Sequence, residues 1–109
     1  MLMLAAVTLA LAPWHGTSFP TATPNAAKYK LAVRGAANQP VRLEAGGLPR
    51  GWVASFCTPT FCSPFRYEMT LDSRGAGWVE FQVIRTDDSA PKHAGVTVWA
   101  EGARVRLKI

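Results

Sequence analysis

WVEFQVIR, residues 78–85, is the stretch that decides the fold class of this 109-residue chain. The apolar residues Val79, Phe81 and Val83 are separated by the polar residues Glu80 and Gln82. Side chains along a β-strand point alternately to its two faces, so a repeat of two places the three apolar residues on one face. The stretch therefore predicts a strand with one face turned toward a hydrophobic core.

The same alternation extends outward from this stretch in both directions. Six further segments repeat it, at residues 29–33, 41–43, 52–57, 66–71, 96–98 and 105–109. Segments rich in Gly, Pro, Asn, Asp and Ser separate them, as turns do. Short strands with a turn about every eight to twelve residues are typical of immunoglobulin-like sandwiches. We therefore expect an all-β chain whose residues 28–109 form a seven-stranded immunoglobulin-like β-sandwich.

The N-terminal segment differs from the rest in carrying no charged residue before Lys28. Residues 1–12 are apolar apart from Thr8 and end in the small-x-small form Ala10-Leu11-Ala12. This length and pattern predict a signal peptide over residues 1–12, with a cleavage position that could extend to about residue 22. The alternative is a buried N-terminal helix of an intracellular fold. Residues 13–27, rich in Pro, Thr, Ser, Ala and Gly, then form a flexible leader.

The two cysteines, Cys57 and Cys62, are separated by four residues. A close pair in a small exported domain predicts one structural disulfide. A thiol-disulfide redox centre usually has two intervening residues at a helix N-terminus, a setting that this segment lacks. Export with a disulfide places the protein in a secreted or periplasmic location, with no stable membrane span after signal cleavage.

The segment Leu48-Pro49-Arg50-Gly51-Trp52 carries a resemblance to a family. It is similar to the Leu-Pro-x-Gly-Trp stretch of bacterial immunoglobulin-like and fibronectin-type-III-like accessory domains of exported proteins. The segment at 91–98 also resembles the Pro-x-x-Ala-Gly stretch that precedes a late strand in that family. The resemblance covers about residues 28–109 and implies fold, export and a non-catalytic role, but no active-site residue. Read physically, Pro49 fixes a turn, Gly51 permits an unusual backbone dihedral, and Trp52 plugs one end of the sandwich.

Residues for catalysis or metal binding are sparse. The only histidines are His15, in the leader, and His93, in a polar loop. No Gly-x-Ser-x-Gly motif is present, and the adjacent pair Asp87-Asp88 is typical of a turn rather than of two carboxylates that flank a substrate. We expect no enzyme activity, no metal and no cofactor.

The net charge of +5 is moderate and is compatible with more than one class of partner. None of the standard nucleic-acid-binding motifs accompanies this charge, so no nucleic-acid partner is expected. Basic proteins of the cell envelope meet anionic lipid or polymer surfaces. The expected partner is a protein or a glycan of the cell envelope.

A possible binding surface follows from the strand alternation. If the valines around them face the core, Trp78 and Trp99 point outward and form an exposed aromatic pair. The last strand places Arg104, Arg106 and Lys108 on one face, and the first does the same with Lys28, Lys30 and Arg34. If these two strands are neighbours, their cations form one patch. Alternatively, loops half-bury both tryptophans, and the cations protect sheet edges against intermolecular pairing.

These patterns lead to one functional hypothesis with two alternatives. The first is an exported non-catalytic interaction or structural domain of the cell envelope. The second is a carbohydrate-binding accessory domain that serves a separately encoded glycosidase. The third, less favoured, is a periplasmic thiol-disulfide or metal-handling protein.

Overall fold

The computed structural model describes residues 6–14 and 26–109, and this part of the chain is built from nine β-strands without a helix. The strands are β1 (Thr8–Pro13), β2 (Ala27–Arg34), β3 (Pro40–Gly46), β4 (Trp52–Cys57), β5 (Cys62–Pro64), β6 (Arg66–Thr70), β7 (Ala76–Arg85), β8 (Gly95–Ala100) and β9 (Ala103–Lys108). They form a five-stranded sheet in the order β1-β2-β7-β4-β5 and a four-stranded sheet in the order β6-β3-β8-β9. All neighbouring strands are antiparallel.

All seven predicted strands are present, and the described chain adds two more. The additions are β1, in the segment predicted to be a signal peptide, and β5, in the segment predicted to be a turn. The predicted count of seven was therefore too low. β5 has three residues and begins at Cys62, which pairs directly with Cys57 across the two strands. An alternation of two cannot be recognised over so short a segment.

Strand β7 lies at the centre of the five-stranded sheet, between β2 and β4. Val79, Phe81 and Val83 lie in the core, as the sequence predicts. The opposite face of the strand differs from the expectation of a half-buried strand, because Glu80 and Gln82 are also buried, with 0% and 2% of their surface exposed. The alternation therefore gives the direction of each side chain but not what covers the second face.

The hydrophobic core lies between the two sheets and receives side chains from both. Leu31, Phe56 and Phe81 come from the five-stranded sheet, and Leu43 and Val98 come from the four-stranded sheet; all five are completely buried. The rings of Phe56 and Phe81 lie 5.2 Å apart. Each such side chain stabilises the fold by about 1.5–3 kcal/mol relative to an exposed position.

A turn at Pro49 and Gly51 leads into β4 and buries Trp52. The Trp52 N–H donates to the Pro49 carbonyl at 3.2 Å, and Gly51 has a φ of 92°. The indole of Trp52 is 8% exposed, and its Nε1 donates to the Pro91 carbonyl at 2.8 Å. The expected turn, the unusual dihedral of Gly51 and a buried Trp52 are therefore present.

Strand β1 lies at the edge of the five-stranded sheet and pairs with β2 from Thr8, opposite Arg34, to Pro13, opposite Tyr29. Val7 precedes it, is 3% exposed, and donates its N–H to the Glu101 carbonyl of the β8–β9 turn at 3.2 Å. The segment predicted as a signal peptide thus contributes a strand and a core residue. The middle of the predicted leader, residues 15–25 with His15, lies outside the described residues.

No helix in the described part of the chain has the length and apolar character to cross a membrane.

Candidate functional site

The outer face of the four-stranded sheet carries a concentration of exposed side chains. Along β9, Arg104, Arg106 and Lys108 are exposed while the alternate residues are half-buried, and along β8 Trp99 is exposed while Val98 is buried. Strands β3 and β6 follow the same rule. The face therefore consists of Pro40, Arg42, Glu44, Gly46, Arg66, Glu68, Thr70, Gly95, Thr97, Trp99, Arg104, Arg106 and Lys108. We call it the Trp99 face.

Trp99 is 40% exposed, and its ring lies over Gly46. A Cβ atom built on Gly46 would lie 3.2 Å from Cζ3 and 3.4 Å from Cη2 of Trp99. The six-membered ring of the indole therefore covers the glycine, and a side chain at residue 46 would push the ring outward by a few tenths of an ångström. Gly46 falls in a segment that the sequence predicts to be a loop, but it is the last residue of β3, and a glycine in a strand often marks such a close approach.

The register places three cations along β9, each directly across from an outward-facing residue of β8. Trp99 pairs with Arg104, Thr97 with Arg106, and Gly95 with Lys108. The Arg106 guanidinium lies close to Gly95, since a Cβ there would lie 3.8 Å from Nη2, the same distance as from the Leu107 carbonyl oxygen. We call Gly95, Thr97, Trp99, Arg104, Arg106 and Lys108 the β8–β9 half of the Trp99 face.

The two halves of this face differ in charge balance. On the β3–β6 half, Arg42 binds the Glu68 carboxylate at 3.0 Å, and both side chains are more than two-thirds exposed. Arg66 lies directly across from Glu44 on the same half. Among residues 6–14 and 26–109, Arg42–Glu68 is the single ion pair, so none of the three β9 cations is neutralised by a described carboxylate.

The structure places Trp78 on the opposite side of the molecule from Trp99. Trp78 belongs to β7 in the five-stranded sheet, where its ring stacks on Trp14 at 5.1 Å and has Lys30 Nζ at 5.1 Å from its centroid. Trp78 and Trp99, although each is 40% exposed, do not form the aromatic pair that the sequence suggested.

The predicted combination of the first and last basic strands also differs in the structure. Lys28, Lys30 and Arg34 lie on β2 in the five-stranded sheet, whereas Arg104, Arg106 and Lys108 lie on β9 in the four-stranded sheet. The two strands are not neighbours, so their cations form two separate surfaces. The reason is topological, because alternation within a strand does not specify which sheet the strand joins.

Cys57 and Cys62 form a disulfide, which confirms the prediction. Cys57 is completely buried, and the amide nitrogen of buried Gln82 donates to both sulfurs, at 3.3 Å in the case of Cys62 Sγ. The sequence pattern gives no link between Gln82 and the cysteines, because Gln82 lies on β7, which pairs with β4 in the sheet but is distant from it in sequence. The turn also exposes Phe61, which lies 5.9 Å from the ring of Tyr67.

The described residues hold no group of three or more His, Cys, Asp or Glu side chains placed to share a metal ion. His93 is exposed on the surface. Asp87 caps a turn, as expected, and accepts hydrogen bonds from the Ser89 N–H at 2.9 Å and the Ser89 hydroxyl at 2.8 Å. The backbone hydrogen bond from Ser89, followed by the hydroxyl bond, lowers the pKa of Asp87.

The chain matches no protein-family model, and no curated protein matches it. Function is therefore inferred from the chemistry of the surface itself.

Proposed function

We propose that this protein is an exported, non-catalytic binding domain of the cell envelope, and that the Trp99 face is its binding surface. One observation carries the proposal: a tryptophan that is 40% exposed lies over Gly46 in the middle of a sheet face. An exposed large aromatic surrounded by polar residues is typical of interaction sites, where tryptophan and arginine contribute most of the binding energy.

An immunoglobulin-like fold for this domain is supported by the strand order. Constant-type immunoglobulin domains have strands A, B, E and D in one sheet and C, F and G in the other. Within residues 28–109, the order β2-β7-β4 corresponds to B, E and D, and the order β3-β8-β9 corresponds to C, F and G, with β5 and β6 added between D and E. Strand β1 takes the place of A only while residues 1–12 are still attached. We also propose that the domain belongs to the family of bacterial accessory domains that the Leu48–Trp52 segment resembles.

Secretion or residence in the periplasm is supported by the Cys57–Cys62 disulfide, since such bonds persist mainly in oxidising compartments. In this proposal residues 1–12 act as the export signal before the domain matures. Cleavage after Ala12 would remove all of β1 except Pro13, and β2 would become the edge of its sheet.

A second candidate, a carbohydrate-binding accessory domain, is favoured by the way the Trp99 ring rests on the sheet. A flat, exposed indole stacks on the apolar face of a sugar ring. Thr97 and Arg104 lie beside it and supply hydrogen-bonding groups for hydroxyls. The two candidates share one surface and differ in the class of partner.

The test compares Trp99→Ala with Trp78→Ala, a control with the same residue type and the same exposed fraction in the other sheet. Binding of the folded protein to separated protein and polysaccharide fractions of the cell envelope is measured by biolayer interferometry. We expect Trp99→Ala to weaken binding roughly thirtyfold, the effect of a hot spot of about 2 kcal/mol, and Trp78→Ala to leave it unchanged. Wild-type binding by Trp99→Ala would refute the Trp99 face as the site.

A further inference from the structure

The uneven charge of the Trp99 face restricts the chemistry of its ligand. On the β3–β6 half, the cations Arg42 and Arg66 face the carboxylates Glu68 and Glu44. On the β8–β9 half, Arg104, Arg106 and Lys108 face Trp99, Thr97 and Gly95 instead. Arg104, Arg106 and Lys108 have no ion-pair partner among the described residues, and Glu44 lies on the other side of Trp99, directly across from it on β3. The three like charges along β9 repel one another, so an anionic ligand would relieve this repulsion.

The spacing of these cations indicates an extended ligand. They occupy alternate positions on one strand, so their Cα atoms are roughly 6.5 Å apart along β9. All three side chains are exposed, and the ring of Trp99 lies beside the first of them. A ligand that follows β9 would meet a stacking surface at Trp99 and cations at Arg104, Arg106 and Lys108.

We infer that the β8–β9 half of the Trp99 face binds an acidic polysaccharide, with a sugar ring stacked on Trp99 and carboxylates held by Arg104, Arg106 and Lys108. The inference rests on the proposed function and specifies its ligand class. A pyranoside chain has the C–H-rich ring face that stacks on an indole, and a uronic acid adds a carboxylate outside that ring. Arginine is the side chain best suited to such a carboxylate, because its guanidinium donates two parallel hydrogen bonds.

A single-stranded nucleic acid shares the negative charge but fits the surface less well. Proteins that bind single strands stack successive bases on several aromatic side chains along a basic groove. Between Gly95 and Lys108 the structure has one aromatic side chain, the exposed Trp99, so β8 and β9 offer no second ring for another base. The observations therefore favour the acidic glycan, and a nucleic acid becomes an outcome of the test.

The experiment uses two polymers that differ only in charge, polygalacturonate and fully methyl-esterified polygalacturonate, with an oligothymidylate of thirty nucleotides as the third probe. Retardation of the folded chain in native affinity gels is measured for each probe at fixed ionic strength. The variants are Trp99→Ala, the double variant Arg104→Gln/Arg106→Gln, and the control Lys28→Gln/Arg34→Gln. The control removes the same two positive charges from the other sheet.

We expect the wild type to bind polygalacturonate about tenfold or more tightly than the esterified polymer. Arg104→Gln/Arg106→Gln should lose about tenfold in affinity for polygalacturonate and keep its affinity for the ester, since only the carboxylate contacts are removed. Trp99→Ala should lose binding to both polymers. The control should bind like the wild type.

Other outcomes overturn the inference in different ways. Equal binding to both polymers that depends on Trp99 alone would refute the acidic ligand and leave the Trp99 face as the binding surface. Tighter binding to the oligothymidylate than to polygalacturonate would assign a nucleic acid. If neither polymer binds, the acidic-glycan inference is refuted. The proposed function is then decided separately, by the binding of Trp99→Ala to the envelope fractions.

Discussion

At the scale of single residues, two glycines in one loop show how the effect of backbone strain on stability differs from the effect of close packing. Gly47 and Gly51 have φ values of 86° and 92°, which side-chain-bearing residues rarely adopt. A Cβ on Gly47 would meet nothing within 4 Å, whereas a Cβ on Gly51 would lie 2.5 Å from the Cβ of Ala90. Ala90 is buried beside the turn that carries Trp52, so a side chain at residue 51 would force the two loops apart.

We therefore predict unequal effects of the two alanine substitutions on stability. Gly47→Ala should lower the free energy of unfolding by about 1–2 kcal/mol, the effect of the positive φ alone. Gly51→Ala should lower it by about 3 kcal/mol or more, because the contact with Ala90 adds an overpacking term. Urea unfolding followed by tryptophan fluorescence measures both. Equal losses for the two variants would contradict the close packing of this loop against Ala90.

At the scale of elements, the disulfide joins β4 to the short strand β5. Cys57 and Cys62 lie directly opposite each other on the two strands, and they are five positions apart in sequence. In the chain-entropy view, so short a loop stabilises the fold by only about 2 kcal/mol. The buried amide of Gln82, which donates to both sulfurs, packs the bridge against the central strand β7. The disulfide therefore orders β5 locally rather than holding the two sheets together.

The double variant Cys57→Ser/Cys62→Ser tests this assignment. It should keep its far-UV circular dichroism, because the bridge joins two strands of one sheet, and lose about 2 kcal/mol of unfolding free energy, the effect of closing so short a loop. In the wild type, the thiols should remain inaccessible to alkylation in a glutathione buffer, because structural bridges resist reduction by that pool. Ready reduction by glutathione would instead support the thiol-disulfide alternative.

Some strands of this protein could be predicted from the sequence and others could not. The difference is whether the sequence pattern that marks a strand lies within a few consecutive residues. Alternation within β7 or β9 is a property of a few consecutive residues, and it correctly gave both strands and the exposed side of Arg104, Arg106 and Lys108. Strand β1 was missed because its uncharged residues form a strand only by pairing with β2, a partner distant in sequence.

The candidate site was only partly predictable for the same reason. Trp99 and the three cations of β9 lie together because β8 and β9 form a hairpin, which is a local contact. Trp78 was grouped with Trp99 because both point away from the core. Their strands are consecutive, but the connection from β7 to β8 crosses from one sheet to the other. Alternation contains no information about such a crossing, and it gave no indication that Gly46 underlies Trp99.

At the scale of the whole molecule, the open question is whether the domain needs the segment before residue 26. Nearly all completely buried side chains lie between Leu31 and Val98, on both sheets. The earlier described segment contributes Val7 to the core, with Leu9 and Leu11 packed against it and Trp14 stacked on Trp78. It also covers the edge of β2, whose lysines and arginine are the kind of residues that protect exposed edges.

A chain that begins at residue 26 should therefore fold with the same two sheets and the same disulfide, but with lower stability. Loss of Val7 and of the partial burial of Leu9 and Leu11 should lower the unfolding free energy by roughly 2–4 kcal/mol. Near-UV circular dichroism and thermal unfolding measure fold and stability, and the full chain is the reference. A folded truncated chain supports a domain over residues 28–109 that survives removal of an N-terminal signal. An unfolded one would make β1 an integral part of the domain, and residues 1–12 would then not be a cleaved signal.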